Sequence, residues 1–526
     1  MRAPRAGGDA PRPTRAGGDS GQPGPWDRGH SDGPGPWDGG DSDVPDPWDD
    51  LVALCRLPHR GTATAEEGRA ARWLAARLAE MGYQVDVQPF TAPRHTLYLG
   101  PGFIGVALAA LGIGGARWQG PAWALGLLAA AAALVLLPLL GELVLWPRGS
   151  RLSLALLVPR GASQNVVARL PRRGGPAAGA ARGAVGGGAP HPAPRPVREP
   201  AARPPADVAD PSASRPPAAA GGSDVTRRPA DAAGAAAARP PADAVEPGAG
   251  RPPAGPPWPL HVVVTAHYDT QWGSWLFAPR MLPGLQAFFV VGYAAFLAVP
   301  LLLVARAVGL AGSTPLAVAA AASAAVAAFL LISWLGGRPV NGANDNGSGV
   351  AVALALARRW ARQPLPGIEL LLAFTGAEET GMRGMAALLE HPWFPRTAPG
   401  GVAVVNVDNV GAGRLHYLTA EGMLVPVRYD PWLVAQARRL AEGLPAGLLT
   451  PGPRPLLPTD ALVAAARGIP AITFLATGPG GRIPHYHWHT DRLEHVDRGH
   501  LAGVADLLWQ YLAQLATAAD RAAGRR

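Results

Sequence analysis

Four segments without one charged residue, 97–116, 121–141, 281–305 and 307–337, constrain this chain more than any other feature. About 20 apolar residues suffice for a helix to cross a hydrocarbon core roughly 30 Å thick, and each segment reaches that length. Buried helices of a soluble α/β core rarely exceed about 20 residues without a charge. Four in one chain therefore point to membrane spans. A short turn with Arg117 joins the first pair, and a loop beginning at Arg306 joins the second. Each pair reads as a transmembrane hairpin that returns the chain to the side it left, so the remaining segments share one face. The flanks on that face carry Arg94, Arg148, Arg151, Arg280 and Arg338, against one Arg in each opposite turn. The positive-inside rule places that face in the cytoplasm, with an extracytoplasmic placement left open. The absence of a charged-then-apolar leader at the first residues agrees.

Between and around the hairpins the composition changes. Residues 1–48 form a Gly/Pro/Asp tail with imperfect repeats, PGPWD twice before PDPWD, and residues 171–257 are Pro/Ala/Gly/Arg-rich with ARPPAD twice. Both are too poor in large apolar residues to build a core and are expected to be disordered. A net charge of +9 invites nucleic acid as a partner, but all 47 basic residues are Arg and no basic stripe alternates with aromatics. That pattern reflects compositional bias, and no nucleic-acid partner is expected. The single Cys55 excludes an internal disulfide and a cysteine-based zinc site. Its apolar helical setting predicts a buried small hydrophobe.

With hairpins (96–147 and 281–337) and insert set aside, the pieces 49–95, 148–170, 258–280 and 338–520, before a short tail 521–526, form one regular pattern. Thr64-Ala65-Glu66-Glu67 reads as a capping box that starts a helix, and YQVDVQPF alternates like a strand. PLHVVVTA, GIELLLAF, GVAVVNV and PAITFLA are continuous apolar strands. Helices are expected between and after them, at 348–363, 381–390 and 498–518. This predicts an α/β fold, a mixed, mostly parallel sheet flanked by helices, with the two transmembrane hairpins inserted.

In such sheets ligands bind beyond the carboxyl ends of the strands. Here those ends deliver His267-Tyr268-Asp269, Glu378-Glu379, Asp408 and a histidine-rich stretch, PHYHWHTD. One acidic residue after a strand serves equally as a helix N-cap or a solvated turn. Four strands ending this way point to a metal site. Two histidines and several carboxylates without cysteine suit zinc, and less distinctively manganese or cobalt. Adjacent side chains diverge, so one of Glu378 and Glu379 can bind metal while the other serves as general base. Read as a strand, His485, His487 and His489 would share one face, and spacing alone does not separate them.

HYD, GANDNGSGVA, FTGAEETGMRG, NVDNVG and YHW…TD, in that order, resemble the di-zinc exopeptidases of the aminopeptidase type, relatives of glutamate carboxypeptidase and glutaminyl cyclase. The resemblance implies two zinc ions. His267 would bind the first, Asp345 would bridge, and Asp408 would complete the first set. Glu379 and His487 would bind the second, His487 being selected because it stands four residues before Asp491. His489 is the runner-up. Glu378 would be the general acid/base and Asp269 the acid supporting His267. Tyr486 and Asp460 are candidate substrate contacts, although the family's Ser-Asp-His is Thr459-Asp460-Ala461 here. The 77 residues between His267 and Asp345 exceed the family's usual spacing, because the second hairpin lies between them.

The expectation is a multi-pass membrane zinc metallopeptidase, an aminopeptidase first, acting on peptides at the face of a lipid bilayer. A glutaminyl-cyclase-like acyltransferase with one zinc and an inactive membrane scaffold are the alternatives. A transporter is poorly supported, because Glu142, near one end, is the lone acidic residue of the apolar segments.

Overall fold

The computed structural model describes residues 45–95, 98–171, 259–398, 401–423, 425–455, 457–522 and 524. The expected disordered tail, apart from its last four residues, and the whole low-complexity insert from residue 172 lie outside the described residues. In chain order the first elements are α1 (Trp48–Cys55), α2 (Ala65–Glu80), β1 (Gln84–Pro93), α3 (Leu99–Arg117), α4 (Ala122–Leu140), β2 (Arg160–Arg169), β3 (Leu260–His267), β4 (Trp272–Gly273), α5 (Leu285–Ala307), α6 (Ser313–Leu335) and β5 (Arg338–Pro339). Then follow α7 (Gly349–Arg362), β6 (Ile368–Thr375), α8 (Arg383–Glu390), β7 (Val402–Asp408), β8 (Arg414–Tyr417), β9 (Ala420–Glu421), β10 (Val427–Arg428), α9 (Pro431–Glu442), β11 (Thr450–Pro451), α10 (Asp460–Ala466), β12 (Ala471–Thr477) and α11 (Arg498–Ala522).

The main sheet has the order β1-β2-β6-β3-β7-β12-β8-β11. Its centre, β6-β3-β7-β12, is parallel. Antiparallel pairs join β1 to β2, β2 to β6 and β12 to β8. Side-chain alternation explains the unbroken apolar runs. On β3, Val262, Val264 and Ala266 pack with α2, α7 and α11 on one face. Val263 packs with α8 and α10 on the other. Both faces are covered, so neither can be polar.

Four helices, α3 to α6, are long and apolar enough to cross a membrane. At 1.5 Å per residue they span about 29–35 Å. Their outer faces expose Leu127, Leu134, Val291, Leu301 and Val318, which suits a lipid-facing surface. Inside the bundle α3 lies close against α6. A Cβ on Gly112 would come within 2.7 Å of the Ala320 Cβ, so the close approach relies on a residue without a side chain. The second hairpin leaves and rejoins the domain through a clasp. β4 and β5 pair antiparallel, Trp272 opposite Pro339 and Gly273 opposite Arg338. The long gap between His267 and Asp345 is thereby closed in space.

Several local expectations change. The capping box is half formed: the Thr64 hydroxyl accepts from the Glu67 N–H at 3.2 Å, but the Glu67 carboxylate accepts from Ala63 N–H at 2.7 Å instead of Thr64. Cys55 is only partly buried, at the last turn of α1. Residues 148–170 hold one strand, β2, and the final helix continues to Ala522, into the expected tail. The histidine-rich stretch is no strand. His485 and His487 have φ of 57° and 53°, and 484–487 run through turns, so the three histidines do not share a face.

Candidate active site

The carboxyl ends of the parallel strands converge. His267 ends β3 and pairs in register with Thr375, which ends β6 three residues before Glu378. Asp408 ends β7, beside Leu475 of β12. Asp345 lies in the turn before α7, and His487 follows β12 through a run of turns.

These side chains meet around Asp345. Its Oδ1 lies 3.2 Å from His267 Nε2 and its Oδ2 lies 3.1 Å from His487 Nε2. Each carboxylate oxygen thus faces a different imidazole. Asp408 Oδ1 joins His267 Nε2 at 3.5 Å, and Glu379 Oε2 joins His487 Nε2 at 3.1 Å. Glu378 Oε2 stands 4.0 Å from His267 Nε2.

The surroundings fix each group. His267 Nδ1 lies 3.2 Å from the Asp269 carbonyl, which turns Nε2 inward. The Asp269 carboxylate is 3.6 Å away at its nearest. It accepts from the Glu378 and Glu379 N–H groups at 3.0 and 3.3 Å and from the Thr62 hydroxyl at 2.7 Å. Asp269 therefore holds the glutamate pair as well as the histidine. Asp491 accepts from Asn344 and Asp345 N–H at 2.7 and 2.9 Å, fastening the turn that presents Asp345. In that turn Gly342 has φ 69°, and a Cβ there would strike the Asp345 carbonyl. Gln271 Nε2 donates to Glu379 Oε2 at 2.9 Å. The His487 ring is held edge-on by Phe277 and stacked against Tyr486.

Four carboxylates face two imidazoles in a buried space, so negative charge is in surplus. Burial alone would lower His487, but the Glu379 and Asp345 carboxylates raise it to about 9. Burial raises Glu379 to about 7 and lifts Glu378 well above the usual carboxylate range, the neighbouring carboxylates adding to it. Glu379 Oε1 is buried without a hydrogen-bond partner among the described residues. Orphaned buried oxygens cost free energy unless a proton or cation satisfies them. Donor atoms of His267, Asp345 and Glu379 all lie within 4.8 Å of one another. The group fits a hard or borderline divalent cation, and its N/O donor set without sulfur suits zinc among others.

Other residues fall elsewhere. His489 is exposed and forms no part of the cluster. His485 and His495 stack on each other with centroids 4.1 Å apart. Asp460, expected at the substrate, is wholly buried and accepts from the Thr375 hydroxyl. Tyr486 lines a cavity above Glu378, Glu379 and His487. The same cavity is lined by Tyr98 and Pro101 at the start of α3, Glu142 and Leu143 beyond α4, and Phe289 and Tyr293 of α5. Tyr293 is eight residues into α5, about 12 Å down the helix.

Sequence reading missed Arg60 and misjudged Glu142. Arg60, wholly buried, donates to the carbonyls of Tyr268, Asn341 and Gly342 at 2.6–2.8 Å. It staples the turn after β3 to the turn before α7. Glu142 accepts from Arg383 at 2.7 Å, and Arg383 lies 3.6 Å over the Trp146 ring. Trp146 Nε1 in turn donates to the Gly381 carbonyl at 3.0 Å. The first hairpin is thus tied to the turn carrying Glu378 and Glu379. An acidic residue after a hydrophobic run, with an Arg at a distant helix start, was the available signal.

Residues 313–512 match the profile of Peptidase family M28. A 72-residue segment is 42% identical to a vacuolar membrane protease of Schizosaccharomyces japonicus, covering 14% of this chain and 8% of that protein. Among solved structures, the zinc aminopeptidase BSAP of Bacillus subtilis is 15% identical, covering 89% of this chain and 95% of its own, with a TM-score of 0.43. The glutaminyl cyclase of Porphyromonas gingivalis is 14% identical over 89% of this chain and 96% of its own, with a TM-score of 0.42.

Proposed function

We propose that this chain, a peptidase family M28 sequence over residues 313–512, is a membrane-bound zinc metallopeptidase with two zinc ions, most simply an aminopeptidase. The observation that carries the reading is Asp345, whose two oxygens face two separate imidazoles at 3.2 and 3.1 Å. That is what a bridging carboxylate requires. His267, Asp408 and Asp345 Oδ1 would hold one ion, and His487, Glu379 and Asp345 Oδ2 the other. Bound zinc supplies a lowered pKa for water and a positive charge for the oxyanion of the attacked carbonyl.

The chain's own residues do the rest. Glu378 is kept off the imidazoles, at 4.0 Å from His267 Nε2, and is free to take a proton from the attacking water at Oε2 and return it to the leaving amine. Asp269 fixes the glutamate pair through their N–H groups, so that Glu378 and Glu379 point to different tasks. Tyr486 and the apolar cavity wall receive the substrate's side chain and exclude water. The cavity wall includes three of the four apolar helices or their ends, which supports a peptide bound near the membrane face.

The test is direct. Protein purified in detergent and loaded with zinc is assayed on aminoacyl anilides and a peptide library, with products read by mass for the shortened end. Glu378→Gln is expected to lower kcat by about 10²-fold or more with metal content unchanged. Wild-type turnover by this variant removes Glu378 from the mechanism and the reading with it.

A further inference from the structure

Against the β4–β5 clasp lies a second cavity of about 800 Å³. Its walls come from the end of α1, the clasp, and Trp488, His489, Arg492, Leu493 and Glu494. Three arginines line it: Arg56, Arg338 and Arg492. All three are exposed, and among the described residues none makes an ion pair. Arg492 Nε donates to the His489 carbonyl at 3.1 Å, which leaves the outer guanidinium nitrogens for another partner. His489 adds a donor-capable ring, and Glu494 is the one acid on the lining. Counting His489 as neutral, the lining carries +3 from arginine and −1 from Glu494, a net +2.

The position narrows the ligand. Gly336 and Arg338, directly after α6, form one wall together with Trp275, which is 51% exposed. Leu335, the last residue of α6, is 72% exposed. An apolar helix end, half-exposed tryptophan and unpaired arginine in this order make the profile of a membrane–water interface. Basic pockets at such a level bind anionic headgroups, and arginine matches phosphate through its planar fork. We propose that this cavity is a phosphate-binding site for the headgroup of an anionic phospholipid, independent of the peptidase centre. Its occupant would touch Trp488 and His489, the two residues that follow His487.

The full chain in neutral detergent is examined by native mass spectrometry with four probes: dioleoyl phosphatidylglycerol, dioleoyl phosphatidylcholine, inorganic phosphate and a phosphate-free acidic peptide. One phosphatidylglycerol is expected to be retained, with phosphatidylcholine about tenfold weaker or more. Arg338→Gln/Arg492→Gln is expected to weaken retention about tenfold or more, whereas Arg280→Gln, exposed on the same flank but outside the cavity, leaves it unchanged. If inorganic phosphate alone binds as tightly and displaces the lipid, the phosphate site stands and its ligand is a free phosphate group. Should the double variant fail to fold, Glu494→Gln decides, because removing the only acid must tighten binding several-fold. Unchanged binding in the double variant, equal loss with Arg280→Gln, no tightening with Glu494→Gln, or equal displacement by a phosphate-free acidic peptide overturns the proposal.

Discussion

At the scale of single residues, histidine density says less than histidine placement. Of the clustered histidines, His487 meets the carboxylates of Asp345 and Glu379, at 3.1 Å each. His487→Ala is expected to remove one metal ion per chain, read by elemental analysis, while His489→Ala keeps both. Arg60 makes a different kind of claim. Its three carbonyl partners would be left buried and unsatisfied in Arg60→Leu, each costing about 1–3 kcal/mol. The expected result is a lowered melting temperature together with weaker metal retention, since one turn it joins follows His267 and the other presents Asp345. Arg60→Lys should rescue little, because an ammonium cannot reproduce the fork. His500 supplies a pH effect remote from the metal ligands. Burial lowers its pKa to about 4, so the folded chain resists a proton that the unfolded chain accepts near 6.5. Stability from this residue is full above pH 6.5 and is lost as pH falls toward 4, by about 3 kcal/mol in all. The stability difference between wild type and His500→Leu should shift by that amount across this window. A flat difference would remove His500 from the acid response.

At the scale of elements, the buried pair Glu142–Arg383 ties the end of the first hairpin to α8. Each partner is under 10% exposed, so removing one leaves the other charged and uncompensated. Glu142→Gln and Arg383→Met should each cost about 3–5 kcal/mol, while the double change costs less than the sum. Melting temperatures in a double-mutant cycle check this. The same pair shows what the sequence could tell. β3, β6, β7 and β12 were legible because burial on both faces leaves a continuous apolar run that ends where polar chemistry starts. The spans were legible because lipid forbids charge along some 20 residues. Glu142 was visible but misjudged, because its partner lies 241 positions away. Arg60 was invisible for a related reason: it bonds to carbonyls, which every residue has, so no side-chain pattern announces it. The histidine stretch failed on geometry. Alternation suggested a strand, but positive φ at two of the three positions made it a series of turns.

At the scale of the whole molecule, the hairpins decide where the peptidase centre stands. Both ends of each hairpin join the sheet domain, one through the β4–β5 clasp, so the two far turns belong together on the opposite side. Their contacts agree: Arg306 donates to the carbonyls of Gly115 and Trp118 at 3.1 Å each. One of the two far-side arginines thus caps a helix end, a structural use that weakens it as a topology signal. The near side keeps Arg148, Arg151, Arg280 and Arg338 exposed, so the charge rule still predicts a cytoplasmic near side. The chain's single cysteine makes this measurable. In a Cys55→Ser background, cysteines placed at Leu310 and, separately, at Arg280 are labelled with a membrane-impermeant thiol reagent in intact cells and in inverted vesicles. Leu310, 83% exposed, is expected to label from outside, and Arg280 only after inversion. Labelling of both from one side would break the hairpin reading. The reverse pattern would keep the hairpins and move the peptidase centre to the extracytoplasmic face.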